Sequence, residues 1–113
     1  MQYRTYKEAM LPRLVRLWKE EAVRIRYKAY DTPEEWKAEL LDKPDFDPEG
    51  CILAFTDSGS LAGFAAAISQ KEFLPGQNRD NTPGYIFLLV VKEEYEGRGV
   101  GSSLLERAEA FLK

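Results

Sequence analysis

The sequence has 113 residues, enough for one domain with a modest core and too few for two independent domains. Hydrophobic residues make up 44% and charged residues 31% of it, a composition typical of a water-soluble globular protein. The net charge of −3 argues against a general nucleic-acid surface, which needs a dense positive field. No apolar run is long enough to cross a bilayer, so we expect neither a nucleic acid nor a membrane as a partner.

The residue types also restrict the chemistry. Cys51 is the single cysteine, which excludes an intramolecular disulfide and a multi-cysteine metal site, and we expect no bound metal. The sequence has no histidine, which excludes Ser-His-Asp and Cys-His catalysis and histidine-ligated zinc. Proton transfer must therefore use carboxylate, tyrosine, lysine, cysteine or water. Because a lone cysteine is more typical of a reducing compartment, we expect a cytoplasmic protein.

The N-terminal part predicts one strand and two helices. Residues 2–6 alternate Tyr and Thr with other polar residues, which favours a short strand. Apolar residues recur at helical spacing over residues 8–28 and predict an amphipathic helix. Thr32 is a suitable N-cap for a second helix, and Pro33 fits the first turn of that helix. The helix should end near Asp42.

The middle of the chain predicts strands. Two apolar runs, residues 51–56 and 61–68, flank Asp57-Ser58-Gly59-Ser60, a composition that turns tightly, so we expect an antiparallel hairpin. Residues 72–83 form a predicted loop that either contacts a ligand or is only a solvated connection. Residues 85–91 are apolar on both faces, which predicts a central strand covered by helices on both sides.

Glycine then occupies every second position, at Gly97, Gly99 and Gly101, and apolar spacing from Val100 onward predicts a last helix. A strand that passes through a glycine loop into a helix presents backbone N–H groups at the positive end of the helix dipole, which suits a phosphate. The alternative is that the glycines only turn the chain. A P-loop is excluded because no Gly-Lys-Ser/Thr follows, and Gly97-x-Gly99-x-x-Ser102 is one glycine short of a dinucleotide fingerprint.

The segment Glu96-Gly97-Arg98-Gly99-Val100-Gly101, after a valine-rich strand end, resembles motif A of the GNAT acyltransferase superfamily. In that motif a Gln/Arg-x-x-Gly-x-Gly/Ala loop precedes the third helix. The order of predicted elements is also similar to the first half of a GNAT domain. The resemblance implies an α+β fold with a mostly antiparallel sheet flanked by helices, in the order strand, two helices, three strands and helix. We expect residues 1–113 to be the N-terminal half of such a domain, a fragment of a longer protein.

The resemblance implies that acetyl-CoA is the acyl donor. Leu89, Val90 and Val91 would offer main-chain groups to the pantetheine arm, and the loop that follows would bind the diphosphate through backbone N–H groups. Arg98 either adds charge to this site or is simply solvated. Glu96 stands where the family usually has Gln or Arg, and its carboxylate would repel a diphosphate. The loop residues concerned are Glu96, Gly97, Arg98, Gly99, Val100, Gly101 and Ser102.

No catalytic residue can be assigned. Residues 85–91 contain no acid to serve as the general base, and the thiolate-protonating tyrosine of the family lies in the second half of the fold. The first hypothesis is an N-acetyltransferase whose full-length parent acts on a small-molecule or protein amine, contacted by the first two helices and the 72–83 loop. This fragment alone would be inactive.

The second hypothesis is a non-catalytic GNAT-like module for dimerisation or regulation. In either case we expect a second copy, in a homodimer, or the remaining C-terminal half to cover the edge of the 85–91 strand, because proteins rarely leave a long apolar edge exposed. A nucleotide- or RNA-binding role of Gly97-Arg98-Gly99 is disfavoured, since one arginine in an acidic chain makes no electrostatic footprint.

Overall fold

A computed structural model describes residues 1–21, 32–42, 45–69, 73–78 and 84–112 of the chain. These ranges contain four strands, three α-helices and several short turns of 3-10 or π geometry. The strands are β1 (Gln2–Thr5), β2 (Cys51–Phe55), β3 (Leu61–Ile68) and β4 (Tyr85–Val91). The helices are α1 (Leu11–Glu21), α2 (Pro33–Trp36, continued as a π turn over Lys37–Leu41) and α3 (Val100–Leu112). The 3-10 turns are Glu8–Met10, Pro48–Gly50 and Glu93–Tyr95.

The four strands form one sheet in the order β1-β2-β3-β4, and every neighbouring pair is antiparallel. The predicted hairpin is confirmed: Leu53 of β2 faces Phe64 of β3. Gly59 takes the left-handed conformation (φ 89°) that closes the turn between them. The fold is therefore α+β with an antiparallel sheet, as the resemblance implies.

The sheet is covered by one helix on each face. Alternate residues of β2 and β3 pack with α1, where Trp18 and Phe64 meet with ring centroids 6.4 Å apart. The other alternate residues pack under Leu104 and Ala108 of α3. Every residue of β3 is buried, because this strand has a strand neighbour on each side and a helix on each face.

The helix predictions hold within the described residues. The first helix is preceded by a 3-10 turn, since Pro12 suits only the first turn of α1. Residues 22–28 of the predicted helix lie outside the described ranges. Thr32 caps α2 as expected, with its Oγ1 accepting from the Glu35 N–H at 3.2 Å. The Asp42 N–H donates to the Lys37 carbonyl at 2.7 Å and closes the π turn there.

The prediction that residues 85–91 form a central strand is wrong for the described part of the chain, where β4 is an edge strand. Leu88 and Val90 are buried, whereas Tyr85 is 55% exposed. The apolar pattern indicates burial but does not reveal which strand, if any, lies on the second side. Between β3 and β4, Ala66 faces Leu88 and Ala67 faces Ile86, so Phe87 is an extra residue that forms a β-bulge.

Candidate functional site

A groove of about 370 Å³ opens between the end of β4 and the start of α3. Its walls are the last residues of β4 and the glycine loop, so the groove is formed by the connection between this strand and α3. The lining residues are Leu89, Val90, Val91, Glu96, Gly97, Gly99, Gly101 and Ser102. The structure thus brings together every sequence-predicted site residue except Arg98 and Val100.

These two exceptions have other surroundings. Val100 is the first residue of α3, and its side chain is buried against the sheet, so only its backbone is near the groove. The Arg98 guanidinium lies 5.9 Å from the centroid of the Tyr95 ring, at an exposed position. Its charge is therefore close to the loop, although the side chain does not line the groove.

Glycine is required in the loop by the backbone conformation. Gly97 and Gly99 have φ of 78° and 83°, in the left-handed region that other residues enter only at a cost. A Cβ atom built at either position meets nothing within 4 Å, and one at Gly101 contacts only Val91 Cγ2 at 3.5 Å. The floor of the groove is therefore bare backbone that a ligand can approach closely.

The groove also has the donors that an anion needs. The first helical hydrogen bond of α3 joins the Ser103 N–H to the Gly99 carbonyl at 3.0 Å. The N–H groups of residues 100–102 precede this bond and belong to the first turn, where an α-helix provides no internal acceptor. They lie at the positive end of a 13-residue helix, so the loop geometry suits a phosphate or another small anion.

The charged side chains near the groove partly oppose this. Glu96 is one of the residues that line the groove, and it carries a negative charge. Lys92 is engaged by two carboxylates, with its Nζ 3.2 Å from Glu94 and 3.7 Å from Glu20. The hydrogen bond to Glu94 raises the pKa of the Lys92 ammonium. Binding of an anion must therefore come mainly from the backbone N–H groups.

The strand side of the groove has a feature that the sequence does not reveal. The bulge at Phe87 lies two residues before Leu89, at the point where β4 begins to line the groove. Bulges redirect the backbone and are common beside functional sites. No glycine or proline marks this one, so no sequence signal was available to find it.

Cys51 takes no part in the site. Its side chain is fully buried in the core on the α1 side of the sheet. Burial raises the pKa of the Cys51 thiol to about 12, which keeps it protonated at neutral pH. Cys51 therefore packs as a small apolar core residue.

A second groove, of about 310 Å³, lies between α1 and the β2–β3 turn. The Arg13 guanidinium donates to the Gly59 carbonyl across it at 3.3 Å. Arg13, Arg16 and Lys92 contribute positive charge to its lining and Glu20 a single negative charge, so the groove is electropositive. It is separate from the glycine loop.

An antiparallel sheet with a helix on each face, and a glycine loop whose geometry suits an anion between the last strand and the last helix, define a small α+β domain. The model of the Acetyltransferase (GNAT) family matches residues 11–113, and the chain belongs to this family. The family resemblance of the glycine segment is thereby confirmed. A search of curated proteins gave no match.

Solved structures share the fold at low sequence identity. An acetyltransferase of the GNAT family from Staphylococcus aureus Mu50 is 15% identical with a TM-score of 0.71, and the match covers 98% of this chain and 65% of that one. An aminoglycoside 6'-N-acetyltransferase from Acinetobacter baumannii is 16% identical (TM-score 0.68, 98% and 70% covered). A third, an aminoglycoside 6'-N-acetyltransferase complexed with coenzyme A, is 19% identical (TM-score 0.67, 99% and 55% covered).

The chain therefore spans about two thirds of the length of the first of these structures and just over half of the third. Within the described ranges, no helix combines the length and apolar character needed to cross a membrane.

Proposed function

We propose that this chain carries the acyl-CoA-binding part of an N-acetyltransferase, which transfers acetyl to an amine in the complete protein. The observation that carries the proposal is the bare backbone cradle at Gly97, Gly99 and Gly101 beside the first turn of α3. Family membership and a structural neighbour complexed with coenzyme A support acetyl-CoA as the ligand. The diphosphate would lie on the residue 96–102 loop, and the pantetheine arm would lie along Leu89, Val90 and Val91.

In the proposed reaction the amine nitrogen bonds to the thioester carbonyl carbon, and the carbon–sulfur bond then breaks. The amine loses a proton to a base, and the departing thiolate gains one. The described residues of this chain hold the donor and orient it, which lowers the entropic part of the barrier. We assign neither the base nor the acid to a residue, since β4 contains no ionisable side chain apart from the exposed Tyr85.

In this proposal a partner covers the edge of β4 that faces away from β3. We propose that residues 1–113 are the N-terminal half of the GNAT domain and that the remaining C-terminal half covers this edge, or that a second copy does so in a homodimer. The exposed Tyr85 and the two-thirds coverage of a structural neighbour support it. Light scattering from micromolar to millimolar concentration separates the two, because a strictly monomeric species argues against the homodimer.

The acceptor is proposed to be an amine of a small molecule or of a protein. Two neighbours are aminoglycoside N-acetyltransferases, which supports an acceptor of the first kind. The electropositive groove beside α1 would repel a polycation, so we propose that a cationic acceptor does not occupy it. The cytoplasm remains the compartment that we propose, on the basis of the lone cysteine.

A second candidate is the non-catalytic module for dimerisation or regulation. The observation in its favour is that Glu96, an acidic residue, lines the groove where a doubly charged diphosphate would lie. If this repulsion prevents binding, the fold is retained for another purpose. Titration with coenzyme A distinguishes the two candidates.

The test is calorimetric titration with coenzyme A of the wild type, Gly99→Ala and Gly59→Ala. Both glycines have positive φ (83° and 89°), and at both a new Cβ meets nothing within 4 Å. The two variants should therefore lose similar stability, on the order of 1–2 kcal/mol. Only Gly99→Ala places a methyl group in the cradle, so it alone should lose affinity. Absence of binding by the wild type at millimolar coenzyme A would refute the proposal.

A further inference from the structure

Glu21 is buried, with 5% of its surface exposed, which is rare for a charged side chain. It lies at the end of α1, far along the chain from the glycine loop. Burying a carboxylate is costly unless it accepts hydrogen bonds. Its position therefore calls for a specific partner.

One partner lies at the entrance to the glycine loop. Glu21 Oε1 accepts from the Glu93 N–H at 3.3 Å, across 72 positions of sequence. Glu93 is the first residue of the 3-10 turn that connects β4 to the loop. A first-turn N–H has no acceptor within its own turn, so Glu21 caps this turn from another element.

The capped turn sets the position of the cradle. The Lys92 N–H donates to the Ala62 carbonyl at 2.8 Å, which holds the end of β4 to β3. Within the turn, the Glu96 N–H donates to the Glu93 carbonyl at 3.1 Å. Gly97 follows directly. The segment between the sheet and the left-handed glycines is thus bonded to β3 through the Lys92 N–H and to α1 through the Glu93 N–H.

We propose that Glu21 is a positioning residue for the acyl-CoA cradle, which couples α1 to the diphosphate loop through the Glu93 N–H. This role rests on the proposed function above. Without the cap, the 93–99 segment keeps its sequence and its glycines but loses a buried contact with α1. The backbone N–H groups of the cradle are then less well oriented for the diphosphate.

Glu20 provides a matched control. It is the neighbouring residue on α1 and also contacts the loop segment, through the Lys92 ammonium at 3.7 Å. That pair is exposed, with 34% and 47% of the two side chains accessible, and exposed ion pairs contribute little. Removing the Glu20 charge should therefore leave the cradle unchanged.

The experiment compares Glu21→Ala, Glu21→Gln and Glu20→Gln by calorimetric titration with coenzyme A and by NMR amide exchange at Glu93. Glu21→Ala should weaken coenzyme A binding about five- to tenfold and speed exchange of the Glu93 amide by a similar factor. Glu21→Gln keeps an oxygen acceptor, so it should restore both to within about twofold of the wild type. Glu20→Gln should change neither.

Wild-type affinity in Glu21→Ala would overturn the proposal, and so would equal losses in Glu21→Ala and Glu21→Gln. If Glu21→Ala fails to fold, exchange in the wild type and Glu21→Gln decides: an unprotected Glu93 amide in the folded wild type refutes the cap. A protected amide without coenzyme A binding by the wild type would instead refute the proposed function and leave the cap in place.

Discussion

Gly63 lies in β3, beside the end of β4 and close to α3. It faces Val91 of β4, and a Cβ atom added to it would lie 2.6 Å from the Val90 carbonyl oxygen. The same atom would lie 3.2 Å from Val91 Cα and 3.3 Å from Leu104 Cδ1. Two of these neighbours are backbone atoms of a paired strand, which cannot rotate away. We therefore expect Gly63→Ala to force β4 or β3 to move.

The required movement is at least about 0.4 Å at the Val90 carbonyl, the distance needed to reach a contact that real Cβ atoms show. Overpacking of a rigid core in this way costs about 1–3 kcal/mol. For a domain of this size such a loss lowers Tm by about 5–15 °C. Because Val90 and Val91 line the groove, binding of coenzyme A should weaken as well.

Urea unfolding and a thermal scan measure the effect, with Gly101→Ala as the control. There the added Cβ would contact only Val91 Cγ2 at 3.5 Å, an ordinary contact. Since alanine is also the better helix former, Gly101→Ala should be neutral or up to about 1 kcal/mol more stable. The packing argument is refuted if Gly63→Ala is as stable as the wild type, or if both variants lose the same free energy.

Two further predictions concern single charges. Glu96→Gln should tighten coenzyme A binding about three- to tenfold, because it removes the negative charge of a groove-lining residue from beside a diphosphate. Glu109→Gln, at an exposed position of α3, serves as the control. Calorimetry that shows no gain for Glu96→Gln would mean that Glu96 does not face the ligand. Burial holds the Cys51 thiol neutral until about pH 12, whereas an unfolded thiol ionises from about pH 8.5, so the free energy of unfolding should fall as pH rises from about 8.5 toward 12, by about 2 kcal/mol at pH 10. Urea unfolding at pH 8 and pH 10 should show this loss in the wild type and less of it in Cys51→Ala; an equal loss in both would contradict the assignment to the thiol.

The elements with strong local signals were predicted well. The hairpin follows from two apolar runs around Asp57-Ser58-Gly59-Ser60, since the turn residues and strand periods are local properties of the chain. The cap at Thr32 follows for the same reason. The bulge at Phe87 was not predicted, because it arises from the pairing of β4 with β3 and leaves no mark in the residue types.

The candidate site divides in the same way. The positive φ of Gly97 and Gly99 is a local requirement, and glycine spacing after a strand indicates it. The contact of Glu21 with the Glu93 N–H is not local, since 72 residues separate the partners and any glutamate on α1 has the same helix propensity. Helical spacing from Leu14 and Leu17 places Glu21, and not Glu20, on the buried face of α1, but only packing determines that its carboxylate meets the Glu93 N–H.

The sequence by itself indicated the strands, the helices and a glycine loop between the last strand and the last helix, and its family resemblance implied the α+β order. Periodicity, turn residues and glycine are sufficient for the elements, because each acts over a few neighbouring residues. Only the tertiary structure decided that β4 is an edge strand in the described sheet, that Val100 is buried while Glu96 lines the groove, and that α1 holds the loop. These depend on which surfaces meet when the sheet and helices pack, and that is a property of the whole chain.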